Sequence, residues 1–193
     1  MLRKTKTEGK HPKNTTYVYK KRHRAEIRMK KIVVIGCPGA GKTTFAEKLS
    51  VATGLRLFYL DSIWHKADRT HISREEFDLQ LGELLSLDSY IIDGNYSRTL
   101  ERRIRACDTV ILFDLPTEVC LDGAIRRIGK RRADMPWIDT ELDGGLRREI
   151  VEFKDKNLPF IYELIERYRK GREVVIFKSR EEADAFILNL AKK

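Results

Sequence analysis

The chain has 193 residues, a formal net charge of +10 and three cysteines. That length suffices for one domain with a sizeable core, and no apolar run approaches the ~18–20 residues of a membrane-spanning helix. Cys37, Cys107 and Cys120 have neither disulfide-framework nor zinc-site spacing, which fits a reduced cytoplasm.

The charge is unevenly placed. Residues 1–31 hold twelve Lys and Arg against Glu8 and Glu26, whereas the rest carries 27 basic and 27 acidic residues. The high pI therefore belongs to an extension, and a neutral body argues against a DNA-binding face on it. Residues 1–28 lack the apolar stretch of a secretory signal. Three readings of them stay open: an upstream mis-called start ahead of Met29, a disordered extension without a role, or a basic arm that binds nucleic acid electrostatically.

Along the remaining 29–193, the apolar Lys31–Ile35 predicts a strand running into Gly36-Cys-Pro-Gly-Ala-Gly-Lys-Thr43, an unbroken G-x-x-x-x-G-K-[ST] (Walker A) pattern. A helix over Thr43–Thr53 follows and stops at Gly54. Gly36, Gly39 and Gly41 allow positive φ values, so that backbone N–H groups of the loop, with Pro38, Ala40 and Thr44 in it, can cradle phosphates. Lys42 can reach β- and γ-phosphate oxygens, and the Thr43 hydroxyl can ligate Mg²⁺. The helix N-terminus adds its positive dipole end at the same point. The motif in this setting implies nucleoside triphosphate binding. Cys37, in the loop, is read as a small residue without chemistry or as a thiol of lowered pKa beside Lys42.

Leu55–Leu60 reads as a short strand ending at Asp61, and Ser62–Ile72 as irregular and polar. Ser73-Arg-Glu-Glu76 is a capping box that opens a helix through Leu85. Tyr90–Asp93 is the next strand, Gly94–Ser97 a turn, Thr99–Ala106 an Arg-rich helix, and Thr109–Phe113 a strand closed by Asp114-Leu-Pro116. A helical pattern from Thr117 to about Arg132 ends in the basic run Arg126–Arg132. Ala133–Gly145, rich in Pro, Gly and Asp, suggests a mobile segment. Helices over 146–156 and 159–170, a strand over Glu173–Phe177 and a helix over Ser179–Leu190 complete the chain. Strands alternating with helices predict a five-stranded parallel α/β sheet with helices on both faces.

Two strands end in a carboxylate, Asp93 and Asp114, and the pattern alone does not choose between them for Mg²⁺. A resemblance does. Ile91-Ile-Asp-Gly-Asn-Tyr-Ser-Arg98 resembles the L-D-G-F-P-R stretch of adenylate kinases, with one extra residue before the Arg. Asp108–Pro116 is similar to their D-x-V-h-x-h-D-V-P stretch, and Arg126–Arg132 falls where that superfamily places its lid arginines. The span 30–190 resembles the bacterial DNA topology modulation proteins, a P-loop kinase-like family. The shared elements are the P-loop, Leu60-Asp-Ser-Ile-Trp64, Ser73–Phe77 and Ile91–Leu100.

The resemblance implies a three-layer fold of nucleoside-monophosphate-kinase type with a small lid around 127–145, and ATP and Mg²⁺ as cofactors. It favours Asp93 as the metal-side carboxylate with Thr43. It implies that Arg98 faces the acceptor or transferred phosphoryl group, and that Arg127, Arg131 and Arg132 close over the phosphates. The T-G-D-h-h-R element that receives AMP in adenylate kinases is missing. In its place, Asp61 either bonds an acceptor hydroxyl or amine or caps a turn, and Trp64 either stacks on a base or fills a gap between helices. His65 and His71 read as surface residues. Lys178 and Arg180 either pack over an adenine or simply flank Ser179, a good helix N-cap with Glu182.

The expectation is thus an ATP-dependent kinase, monomer or homodimer, acting on an unidentified nucleotide or small-molecule acceptor. Its alternative is a nucleotide-dependent regulator of DNA topology. The absence of an N-K-x-D guanine signature disfavours a GTPase.

Overall fold

A computed structural model describes residues 29–190. The basic extension 1–28 lies outside the described residues. Five strands, β1 (Lys31–Gly36), β2 (Leu57–Tyr59), β3 (Tyr90–Asp93), β4 (Thr109–Phe113) and β5 (Glu173–Phe177), form one sheet in the order β2-β3-β1-β4-β5. All pairings are parallel, as predicted. β4 is buried throughout and β1 from Ile32 onward, with mostly apolar side chains, as a sheet covered by helices on both faces requires.

Eight helices occur among the described residues: α1 (Lys42–Thr53), α2 (Leu60–Trp64), α3 (Arg74–Ser86), α4 (Ser97–Ala106), α5 (Thr117–Arg126), α6 (Gly144–Lys156), α7 (Leu158–Tyr168) and α8 (Arg180–Leu190). α1 packs on α8, and α4 on α7. None is long and apolar enough to cross a membrane. In the main core, Phe45 of α1 meets Phe113 and Phe177 edge-on, with ring centroids 5.3 and 5.2 Å apart. A smaller cluster joins Leu60, Phe77, Leu81, Tyr90 and Ile92 beside β2 and β3.

Two boundaries differ from expectation. Leu60–Trp64 is helical rather than the start of an irregular stretch. Leu60 is fully buried, so its packing in the smaller cluster fixes this short turn despite the polar neighbours. The helix carrying the basic run stops at Arg126, because Gly129 takes φ +72° and its N–H turns back onto Asp139 O at 2.8 Å. The Ser73 cap holds, its side chain accepting from Glu76 N at 3.0 Å.

Because β1 lies between β3 and β4, everything that follows the C-terminal ends of these strands converges on one crevice. That is where ligands sit in open α/β sheets.

Candidate nucleotide site

The loop after β1 is held from three sides. Gly36 N–H donates to Asn95 Oδ1 at 3.0 Å, which ties the loop to the β3–α4 turn. Arg180 at the start of α8 donates to Gly39 O (3.0 Å), Ala40 O (3.3 Å) and Val119 O (3.0 Å). The backbone of α5 packs directly against the loop: a Cβ on Gly39 would lie 2.1 Å from Cys120 O, and one on Gly123 would lie 2.1 Å from Gly39 O. Gly36, Gly39 and Gly41 all have positive φ. No side chain caps α1 at Gly41, so its first N–H groups are available to an anion. Lys42 Nζ donates to Cys37 O at 2.9 Å, folded over its own loop.

Of the two readings of Cys37, the thiol of lowered pKa is the one the structure opposes. Its thiol is pushed up, first by a hydrogen bond with Cys120 and then by burial, which together outweigh Lys42. Cysteines 83 positions apart in sequence meet only because α5 lies on the loop.

Next to the loop, the Thr43 hydroxyl donates to Asp93 Oδ2 at 2.6 Å. Asp93 is 5% exposed and its Oδ1 has no partner among the described residues. Burial raises its pKa to about 6, against the opposing pull of Lys42. An orphaned, buried carboxylate oxygen beside a threonine hydroxyl fits a divalent cation. Asp114 lies elsewhere: it accepts from Tyr162 Oη at 2.7 Å and from Lys178 Nζ, closing the β4 and β5 ends together. Lys178 is thereby committed, while Ser179 caps α8 by accepting from Glu182 N at 3.2 Å.

The three lid-side arginines part company. Arg127 is half-buried and makes no ion pair among the described residues; burial and Arg132 lower its pKa, opposed by Asp139, Asp134 and Asp61. Arg131 is exposed. Arg132 is already engaged, donating to both oxygens of Asp134 at 2.9 Å and to Asp139 at 3.3 Å. Asp134 itself was not foreseen. It is 4% exposed, and its Oδ2 lies 3.4 Å from Thr43 Oγ1. A cleft of about 350 Å³ opens beside the loop, lined by Gly39–Gly41, Thr44, Lys48, Arg126, Arg127, Lys130 and Arg180.

On the opposite side, Asp61 accepts from Tyr96 Oη at 2.9 Å, and burial, ahead of Asp61, pushes the Tyr96 pKa up. Tyr96 has φ +37°, a strained value for a residue with a Cβ. Trp64 stacks on His71 at 4.4 Å and meets Phe77 and Tyr96 edge-on, so it fills the space between α2 and α3. Arg98 is not brought to the loop: it forms a two-pronged ion pair with Asp78 of α3, at 2.7 and 2.8 Å, on the surface.

Two further residues shape this side. Arg103 is fully buried, its guanidinium donating to Gly94 O (2.7 Å), Asn95 O and Tyr96 O (3.1 Å), which sets the turn that carries Asn95 and Tyr96. Burial lowers its pKa to about 10, so it stays charged near neutrality. Glu149 of α6 keeps contact with solvent, yet desolvation raises its pKa, opposed by Lys42 and reinforced by Asp61. The next residue's carbonyl, Ile150 O, lies 3.9 Å from Cys37 Sγ, so α6 abuts the loop.

No protein-family model matches the chain, and no curated protein matches it. Solved structures do. A shikimate kinase from Bacteroides thetaiotaomicron aligns over 85% of this chain and 97% of its own, with a TM-score of 0.57 and 18% identity. A shikimate kinase from Acinetobacter baumannii in complex with shikimate aligns over 86% of this chain and 96% of its own, with a TM-score of 0.52 and 17% identity. At such identity the likeness is one of fold: a P-loop NTPase sheet of five parallel strands with its covering helices.

Proposed function

We propose that this protein is a kinase that transfers the γ-phosphoryl group of ATP, with Mg²⁺, to a hydroxyl-bearing small molecule or nucleotide. The observation that carries the reading is the Thr43–Asp93 contact at 2.6 Å, at the mouth of a complete phosphate loop, with Asp93 Oδ1 unpartnered among the described residues. The shikimate kinase fold of the solved neighbours supports the same class.

Each residue then has a task. The α1 N-terminal N–H groups and Lys42, released from Cys37 O, hold the phosphates. Thr43 and Asp93 hold Mg²⁺, which when bound neutralises charge on the β- and γ-phosphates. Arg127, a half-buried lid-side cation with no ion pair among the described residues, stabilises the equatorial oxygens of the transferred group. Arg131 and Arg98 serve as further cations once the lid and acceptor are in place. Asp61, oriented by the Tyr96 hydroxyl, takes the acceptor's proton as its oxygen bonds to phosphorus and the bond to the β–γ bridging oxygen breaks. Trp64 walls the acceptor side.

A panel of nucleosides, nucleoside monophosphates, amino alcohols, sugars and shikimate, read as ADP formed from Mg·ATP, tests the reading. ADP formation that depends on one acceptor class supports it; nucleotide binding with no acceptor-dependent ADP contradicts it. Running residues 29–193 without DNA separates this from regulation of DNA topology, which requires duplex binding and no turnover.

A further inference from the structure

Asp134 is the least expected group near the loop. It sits in the irregular segment between α5 and α6, yet it is 4% exposed, and Ser62 Oγ fixes its backbone by donating to Asp134 O at 2.9 Å. Thr43 Oγ1 therefore has two carboxylates about it, Asp93 Oδ2 at 2.6 Å and Asp134 Oδ2 at 3.4 Å. Two buried carboxylates converging on one hydroxyl repel each other unless cations offset them. Arg132 offsets Asp134 and is shared with Asp139. Asp93 has the Thr43 hydrogen bond and the pull of Lys42 but no ion pair among the described residues, and its buried Oδ1 has no partner there.

We propose that Asp134 is a second metal-side carboxylate, delivered by the lid segment, so that a nucleotide-bound divalent cation is held among Thr43, Asp93 and Asp134. The proposal rests on the nucleotide reading above. The cation replaces Arg132 as the counter-charge of Asp134. Closure of the segment over the loop and capture of the metal are then one event, and Arg132 competes with the metal until both ligands are present.

The test uses the full chain and Mn²⁺ as a spectroscopic stand-in, with free Mn²⁺ counted by electron paramagnetic resonance in the presence of a non-hydrolysable ATP analogue. Asp134→Asn is expected to weaken Mn²⁺ about tenfold or more. Arg132→Met is expected to tighten Mn²⁺ binding, because it frees the carboxylate. Unchanged Mn²⁺ affinity in Asp134→Asn, or equal or weaker binding in Arg132→Met, would overturn the proposal and leave Asp134 as an ion-pair partner only. If Asp134→Asn does not fold, as judged by its melting curve, Arg132→Met decides alone: tighter binding supports the proposal, and equal or weaker binding overturns it. Analogue binding measured in EDTA keeps the two failures apart. No analogue binding to wild type with or without metal sinks the nucleotide reading, whereas binding with Mn²⁺ affinity indifferent to residue 134 sinks only this inference.

Discussion

The hydroxyl of Thr43 donates to Asp93 Oδ2 at 2.6 Å, joining the first turn of α1 to the last residue of β3. This contact closes one side of the phosphate loop, and its partner carboxylate is uncomfortable where it sits. Desolvation raises the Asp93 pKa from 3.8 to about 6, with Lys42 and Thr43 opposing and Asp61 and Asp134 adding to the rise.

A pH dependence of the metal-free protein follows. The folded state binds the Asp93 proton more tightly than the unfolded state, so this stabilisation is full below pH 3.8 and is lost as pH rises through about 6. The loss amounts to about 1–3 kcal/mol. Asp93→Asn is neutral at every pH and should remove that loss, raising stability near pH 7.5 relative to wild type. Urea midpoints at pH 4.5 and 7.5 in EDTA check it; an equally steep pH profile in the variant would count against the account.

The α5 helix touches the loop through backbone, and Gly123 is the reason it can. Gly123→Ala places a Cβ 2.1 Å from Gly39 O, an atom with no freedom to move aside. The variant should lose about 1–3 kcal/mol and bind ATP more weakly, since Arg180 is displaced as well. Gly144→Ala is the control: its Cβ meets nothing within 4 Å, and its stability should be unchanged or slightly higher. Thermal melts and ATP titration of both variants make the comparison.

Arg103 supports the turn that bears Asn95 and Tyr96. Arg103→Leu leaves the carbonyls of residues 94–96 buried without that donor, and should cost about 2–4 kcal/mol. Arg103→Lys should recover little, because a single ammonium cannot span the three acceptors. Full recovery in the Lys variant, seen by denaturant unfolding, would mean that charge rather than geometry sets the turn.

Arg98 separates surface from site. Its pair with Asp78 is largely exposed, with side chains 44% and 39% accessible. Arg98→Met should therefore change stability by less than about 1 kcal/mol. As an acceptor-side cation, the same change should lower kcat/KM by about tenfold or more. Unaltered kcat/KM would assign Arg98 to the α3–α4 surface alone.

The sheet was legible because parallel strands buried on both faces are written as unbroken apolar runs, and Ile32–Ile35 and Val110–Phe113 are such runs. The loop was legible because its tight turns need glycines, and Gly36, Gly39 and Gly41 do take positive φ. Residues that act through tertiary contact carried weaker signals. Arg103 lies three residues after Leu100 and one before Ile104, on the apolar stripe of α4, and that position could have marked it as buried. Asp134 had no comparable signal: only the fold of the segment between α5 and α6 brings it to Thr43. Gly123 carried no such signal either, and its use appears only once α5 is laid on the loop. Trp64 packs against His71, Phe77 and Tyr96, contacts that its sequence neighbours did not announce.

The central claim is that Lys42 and the loop around it hold ATP for transfer to an acceptor. The most direct measurement compares wild type and Lys42→Ala for acceptor-stimulated ADP formation from Mg·ATP. The account predicts stimulation in wild type, and in Lys42→Ala no turnover and sharply weakened ATP binding. ADP release that persists in Lys42→Ala at the wild-type rate would contradict it.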